Sequence, residues 1–154
     1  MNTKTLIMGI VLPLVFGFVL GLLFFLTAGT VFWFYGWIFL ILLFIFVIAL
    51  LMWMLRYAPG LLEERTEWQS NKPTWDKVSA VLAYPGIGIW LITMPLDAVR
   101  FHWSQMPTWL HLVGVIVLSS AFYLTYLTYR ENPYLSGVVR IQEDRGQTVI
   151  STGP

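Results

Sequence analysis

The two histidines of the chain are the first candidates for chemistry. His102 and His111 are nine residues apart, and Trp103 and Trp109 stand beside them. Imidazole is a common metal ligand and proton carrier, but no carboxylate stands at ligand spacing from both rings. We therefore predict no metal site here and expect this segment to anchor the chain at a membrane interface. The absence of cysteine excludes disulfides, zinc–thiolate centres and a cysteine nucleophile.

The composition is that of a membrane protein. Hydrophobic residues make up 58% of the 154 residues and charged residues only 11%, with a mean hydropathy of +0.74. Soluble domains carry about 25% charged residues, so the composition favours the integral-membrane class. The formal net charge of +1 gives no sign of a nucleic-acid interface.

Four apolar stretches are long enough to cross roughly 30 Å of hydrocarbon as helices. They cover residues 6–26, 31–55, 78–96 and 109–129. We therefore predict an all-α integral membrane fold, with four transmembrane helices in a single domain. Gly17 and Gly21 form a Gly-xxx-Gly pair in the first stretch, which lets another helix approach closely. No Asp, Glu, Lys or Arg lies inside the four stretches, which argues against an ion or proton transporter.

Two polar segments complete the domain. The first is the loop at residues 56–77, in which Pro59 to Trp68 is expected to form a short interfacial helix in the plane of the head groups; a solvated loop is the alternative. The second is the C-terminal tail, residues 130–154. Two β-prone runs flank a turn that ends in Gly146, and this pattern predicts a small hairpin.

The charges predict which way the chain crosses the membrane. Of the nine Lys and Arg residues, all except Arg100 belong to the N-terminus, the 56–77 loop or the tail. The positive-inside rule therefore places both termini in the cytoplasm. On the opposite side, Asp97 and Arg100 have the spacing of a pair on one helical turn, in a loop predicted for residues 97–108.

The second half of the chain resembles a known enzyme family. Four segments carry the resemblance: PGLLEER at 59–65, WDK at 75–77, LDAVRFHWS at 96–104 and NPYLSGVVRIQEDRGQTVISTGP at 132–154. In this order they are similar to bacterial members of the isoprenylcysteine carboxyl methyltransferase family, which belongs to a wider group with phospholipid N-methyltransferases. The resemblance runs from about Arg56 to the end of the chain.

The resemblance implies a multi-pass enzyme of the bacterial inner membrane. Such an enzyme transfers the methyl group of S-adenosylmethionine to a lipid-borne or isoprenylated carboxyl acceptor at the cytoplasmic face. Arg130 and Asn132 are expected to face the acceptor, with head-group anchoring and helix termination as the alternative. Gln147 stands where relatives often have His, which weakens any acid–base role there. By the family pattern, the cofactor-binding residues are Gln147, Thr148, Val149 and Gly153.

The catalytic residues remain unassigned, because the family's Arg-His-Pro motif would follow Pro154. We expect the 154-residue chain alone to be an inactive N-terminal portion of such an enzyme. Two alternatives stay open. One is a non-catalytic four-helix module with a helix-packing partner or a second copy of itself, and the other is a phospholipid N-methyltransferase-like fragment. Membrane lipids are expected partners in every case.

Overall fold

A computed structural model describes residues 3–66, 74–132 and 134–135. Helices account for most of this part of the chain, and no β-strand occurs in it. In chain order they are α1 (Thr3–Ala28), α2 (Phe34–Tyr57), α3 (Pro59–Thr66), α4 (Thr74–Pro95), a π-helix (Leu96–Phe101) and α5 (Thr108–Glu131). Four helical segments are long and apolar enough to cross a membrane: α1, α2, α4 with the π-helix, and α5. Within the described residues, the prediction of an all-helical fold with four such helices is confirmed, and the hairpin predicted around Gly146 lies outside them.

A tight turn joins α1 to α2. Thr27 Oγ1 donates to the carbonyl of Leu23 at 2.6 Å, so the hydroxyl is satisfied within its own helix. Gly29 then adopts φ +74°, a left-handed conformation that costs glycine little, and its N–H bonds the Phe25 carbonyl at 3.0 Å. The chain reverses within a few residues, and α1 and α2 become neighbours.

The helices α1 and α2 approach each other closely at Gly17 and Gly21, the pair that the sequence predicted to permit close packing. Gly17 is buried, and a Cβ added there would lie 2.8 Å from Cε1 and from Cε2 of Phe44. One turn further along α1, an added Cβ on Gly21 would lie 3.8 Å from the Leu40 side chain. The ring of Phe44 therefore occupies the space that Gly17 leaves open, as expected for helices that pack through a glycine.

The helices form an open row rather than a closed bundle. In the described part of the chain, α4 and the π-helix pack on α1, α1 packs on α2, and α2 packs on α5. The short helix α3 contacts both α1 and α2. A central cluster of Leu20, Phe24 and Leu40 holds the two inner helices together. The outer helices expose most of their apolar side chains, as expected where lipid is the solvent.

Three ring pairs lie along the α2–α5 contact. Their members are Tyr35 with His111, Phe46 with Phe122, and Trp53 with Tyr126, at centroid distances of 3.8, 4.5 and 6.1 Å. Aromatic pairs of this kind contribute about 0.5–1.5 kcal/mol each beyond their burial. They fix the rotation of α5 against α2, so the residues at its two ends have defined neighbours.

The π-helix differs from the sequence prediction. A loop was expected from residue 97, but the chain stays helical to Phe101. Pro95 has no N–H and cannot bond the carbonyl four residues earlier, and the wider π pattern begins directly after it. The expected pairing of Asp97 with Arg100 is wrong. The Asp97 carboxylate instead accepts from the N–H and hydroxyl of Ser104 at 2.7 and 2.5 Å, and Arg100 Nη1 donates to the Thr27 carbonyl at 3.4 Å.

Replacing Gly17 with alanine should destabilise the α1–α2 hairpin. The added Cβ overlaps the Phe44 ring, and overpacking of this kind costs about 1–3 kcal/mol. Thermal unfolding in detergent, followed by circular dichroism, should show a lower Tm. Gly114→Ala is the control because nothing lies within 4 Å of a Cβ at that position. Adding Phe44→Leu to Gly17→Ala should recover stability, and an unchanged Tm in Gly17→Ala would contradict the packing.

Candidate functional site

One end of the helix row contains the short helix α3, which packs on α1 and α2. This end is defined by α3, the C-terminal turns of α2 and α5 and the first turns of α1. Met54, Leu61 and Leu62 form a buried cluster there, and Tyr129 packs against it. A Cβ on Gly9 would lie 3.3 Å from Leu62 Cδ1, so α1 also approaches α3 closely. We call this the α3 end.

The helix α3 packs against two other helices of the chain, α1 and α2. Its first turn is closed by the N–H of Leu61, which donates to the Ala58 carbonyl at 3.0 Å. Leu61 is 1% exposed and Leu62 is 5% exposed. The sequence predicted a short interfacial helix from Pro59 to Trp68 with these leucines on one face. The structure has a helix over Pro59–Thr66 that packs on α1 and α2, and its position in the head-group layer stays a prediction. The side chains of the predicted segment from residue 64 onward lie outside the described residues.

Arg130 is placed at the α3 end and remains accessible. Its guanidinium Nη2 lies 3.1 Å from Oε1 of the adjacent Glu131, with the two side chains 53% and 32% exposed. An exposed ion pair of this kind contributes about 0–1 kcal/mol. Arg130 can therefore exchange Glu131 for another anion at little cost.

Asn132 ends α5, as the Asn-Pro dipeptide predicted. Its N–H bonds the Thr128 carbonyl at 2.9 Å, and its backbone is extended with φ −111° and ψ 93°. The side-chain Oδ1 accepts from the Tyr134 N–H at 2.9 Å, which is an Asx-type turn. Asn132 thus redirects the chain out of the helix, and the helix-termination role expected as an alternative is present. The turn uses only Oδ1 of the Asn132 side chain, and the side-chain NH₂ group takes no part in it.

Aromatic rings lie near the C-terminal ends of α2 and α5 at the α3 end. Trp53 packs against Tyr57 at 6.3 Å and against Tyr126 at 6.1 Å. The Arg56 guanidinium carbon lies 5.5 Å from the Tyr57 ring centroid, within the range of a cation–π contact. Tyr and Trp rings with basic side chains are typical of the membrane–water boundary, so the α3 end has the composition of a head-group layer.

Asp76 is a candidate that the sequence interpretation missed. It lies in the first turn of α4 within the WDK segment, and a carboxylate there complements the positive end of the helix dipole. Its Oδ2 is buried and has no hydrogen-bond partner among the described residues, which is unusual for a buried polar atom. From the sequence, an acidic residue in the first turn of a helix is expected simply to complement the helix dipole. Only the burial of its Oδ2 sets Asp76 apart from such a residue.

The predicted cofactor contacts cannot be placed. The four tail residues lie outside the described part of the chain: Gln147, Thr148, Val149 and Gly153. The segment at 96–104 lies at the opposite end of the row, where the π-helix contacts α1. Within the described residues, no group of three or more His, Cys, Asp or Glu side chains could hold a metal ion.

Comparisons with known proteins identify no family. No family model, no curated protein and no solved structure matches the chain.

Shortening Leu61 to alanine should loosen α3. Truncating a fully buried leucine costs about 2–5 kcal/mol, and this one joins α3 to the Met54 and Tyr129 side chains. We expect a lower Tm and faster amide exchange throughout α3. Val81→Ala is the matched control, since Val81 is 71% exposed on α4. Unchanged exchange in α3 would show that Leu61 does not anchor the helix.

Proposed function

We propose that this chain is the membrane-embedded N-terminal part of an S-adenosylmethionine-dependent methyltransferase. Its acceptor is a lipid or an isoprenylated carboxylate at the cytoplasmic face. S-adenosylmethionine would supply the methyl group, and the residues expected to hold it belong to the tail. The described residues supply the acceptor side of the reaction and the surface on which the tail begins.

The observation that carries the proposal is the meeting of separate resembling segments at one end. PGLLEER forms α3, and its two leucines pack beside Tyr129 at the end of α5, directly before Arg130 and the start of the tail. The WDK segment begins α4, whose other end continues into the π-helix at the far side of the row. PGLLEER and the first residues of the tail segment, which are distant in sequence, therefore lie together at the α3 end.

Arg130 is the proposed partner of the acceptor carboxylate. A guanidinium presents a planar fork of donors that matches a carboxylate, and its current partner Glu131 is half-buried and adjacent in sequence. Methyl transfer to a carboxylate forms a C–O bond and breaks the S–CH₃ bond, and it moves no proton. Positioning is therefore the main requirement, and Asn132 fixes where the chain leaves the helix beside Arg130.

We further propose that the α3 end is cytoplasmic, with α3 in the head-group layer, in a bacterial inner membrane. Arg56, Lys77 and Arg130 stand at helix ends on this side, whereas Arg100 stands on the opposite side. Lys and Arg are retained on the cytoplasmic side during insertion. The helix order places the first residues of α1 and the last residues of α5 at the same end.

Single-cysteine labelling tests this orientation without background, because the chain contains no cysteine. Gln105→Cys marks the end of the row that holds the π-helix, and Thr74→Cys marks the start of α4; both positions are exposed. A membrane-impermeant maleimide applied to spheroplasts should label the first variant and leave the second unlabelled until the membrane is opened. The reverse pattern would overturn the proposed topology.

Methyl transfer is tested with the full-length gene product in its native membrane. Labelled S-adenosylmethionine and an isoprenylated cysteine acceptor should yield a methyl ester, which base hydrolyses to volatile methanol. Arg130→Gln should lower kcat/KM about tenfold or more, mainly through KM, because a charged hydrogen bond to the acceptor contributes about 1.5–3 kcal/mol.

The control for this experiment is Arg56→Gln, which removes the same charge from the same end and should leave kcat/KM nearly unchanged. Base-stable label on an amine would favour the phospholipid N-methyltransferase-like alternative. If neither the carboxylate acceptor nor the amine acceptor yields labelled product, the result would count against the proposal as a whole.

A further inference from the structure

A cavity lies at the end of the helix row opposite the α3 end. It has a volume of about 510 Å³, within the range of small-molecule sites. Its walls come from α1, α2, α4, the π-helix, the segment that follows the π-helix, and α5. Six segments therefore converge on a space that the proposed methyl transfer does not use. We call it the π-end cavity.

Two backbone irregularities border the π-end cavity. The first is the π-helix itself, a rare form that is frequent at functional sites. The second is His102, which ends the π-helix with φ 50° and ψ 43° and is the only described non-glycine residue with positive φ. Such conformations cost about 1–3 kcal/mol and persist where the surroundings hold them. Here the two bonds from Ser104 to the Asp97 carboxylate hold the segment in place.

The lining combines one carboxylate with aromatic faces. Tyr35 and His111 stack at 3.8 Å and 16°, and the Tyr35, His111 and Trp33 rings all line the cavity. Among the described lining residues, Asp97 is the only acidic residue, and there is no Lys or Arg. Arg100 is turned towards the Thr27 carbonyl and is not part of the lining.

This combination selects for an organic cation. A carboxylate has about four acceptor sites, so Asp97 retains capacity beyond its two bonds from Ser104. Aromatic faces attract ammonium groups through their quadrupoles, and quaternary ammonium ligands are bound in such cages. An anion would instead meet the Asp97 charge. The described residues also include no group of three ligands for a metal ion.

We propose that the π-end cavity binds an alkylammonium group, carried either by a membrane lipid head group or by a free hydrophobic amine. The ammonium lies against Asp97, and the rings of Tyr35 and Trp33 enclose its alkyl substituents. This site is independent of methyl transfer, because it lies at the other end of the row and shares no residue with the α3 end.

The test uses the chain in nanodiscs of phosphatidylglycerol, whose head group carries no amine. In one arm phosphatidylethanolamine is added, and the lipid that the protein retains is measured by native mass spectrometry. In the other arm butyltrimethylammonium is titrated, and its Kd is measured by saturation-transfer NMR. Selective lipid retention identifies a head group as the ligand source, and saturable binding of the soluble cation identifies a free amine. Binding in either arm supports the proposal, and binding in neither overturns it.

Three variants connect the binding to this cavity. Asp97→Asn keeps an oxygen for Ser104 but removes the charge, and it should weaken binding about tenfold or more. Tyr35→Leu removes an aromatic wall without touching the Asp97–Ser104 bonds, and it should weaken binding several-fold. Arg100→Gln is the matched control on the same π-helix and should bind as the wild type does.

The folding of each variant is checked by its Tm. If Asp97→Asn does not fold, the comparison of Tyr35→Leu with Arg100→Gln decides the outcome. Wild-type affinity in both Asp97→Asn and Tyr35→Leu overturns the proposal. Equal losses in Arg100→Gln and Asp97→Asn also overturn it, since they would show a general disturbance of the π-helix instead of a lost ligand contact.

Discussion

The contact of Phe44 with Gly17 is the interaction on which the other helices depend. Helices within a bilayer gain no hydrophobic free energy from contact with each other, because lipid tails are as apolar as their side chains. Association has to come from close packing. Gly17 lets α2 approach α1, and the paired α1–α2 surface then supports α4 on one side and α5 on the other. The rings along α2 extend the same principle to α5.

The open row gives the molecule two chemically different ends. At the α3 end, leucines of α3 fill the corner between α1, α2 and Tyr129, and Arg130 and Asn132 stand at its edge. At the other end, the π-helix and Ser104 shape a cavity around the Asp97 carboxylate. The helices α2 and α5 run through both ends, so the same ring pairs that hold them together also fix the spacing of the two regions. Neither region needs a closed bundle, since lipid covers the outer faces.

The elements that follow from local chemistry could be predicted, and those that follow from contacts could not. Runs of apolar residues gave four helices, Gly17 indicated a close approach, and Asn132 before Pro133 ended α5 where expected. The π-helix was missed because Asp97 and Arg100 have ordinary helical spacing, while their partners Ser104 and Thr27 are set by the fold. Asp76 was missed for a similar reason, since only its burial is unusual. The cofactor contacts expected in the tail remain predictions.

The most direct test of the central claim is where S-adenosylmethionine binds. Ultraviolet crosslinking of the labelled cofactor to the full-length gene product, followed by peptide mapping, reports that position without requiring turnover. The proposed function predicts label in residues 130–154, beyond the end of α5, and its loss when S-adenosylhomocysteine is added in excess. Label confined to the π-helix and the segment after it, or label that excess S-adenosylhomocysteine does not displace, would contradict the assignment of this chain to a methyltransferase.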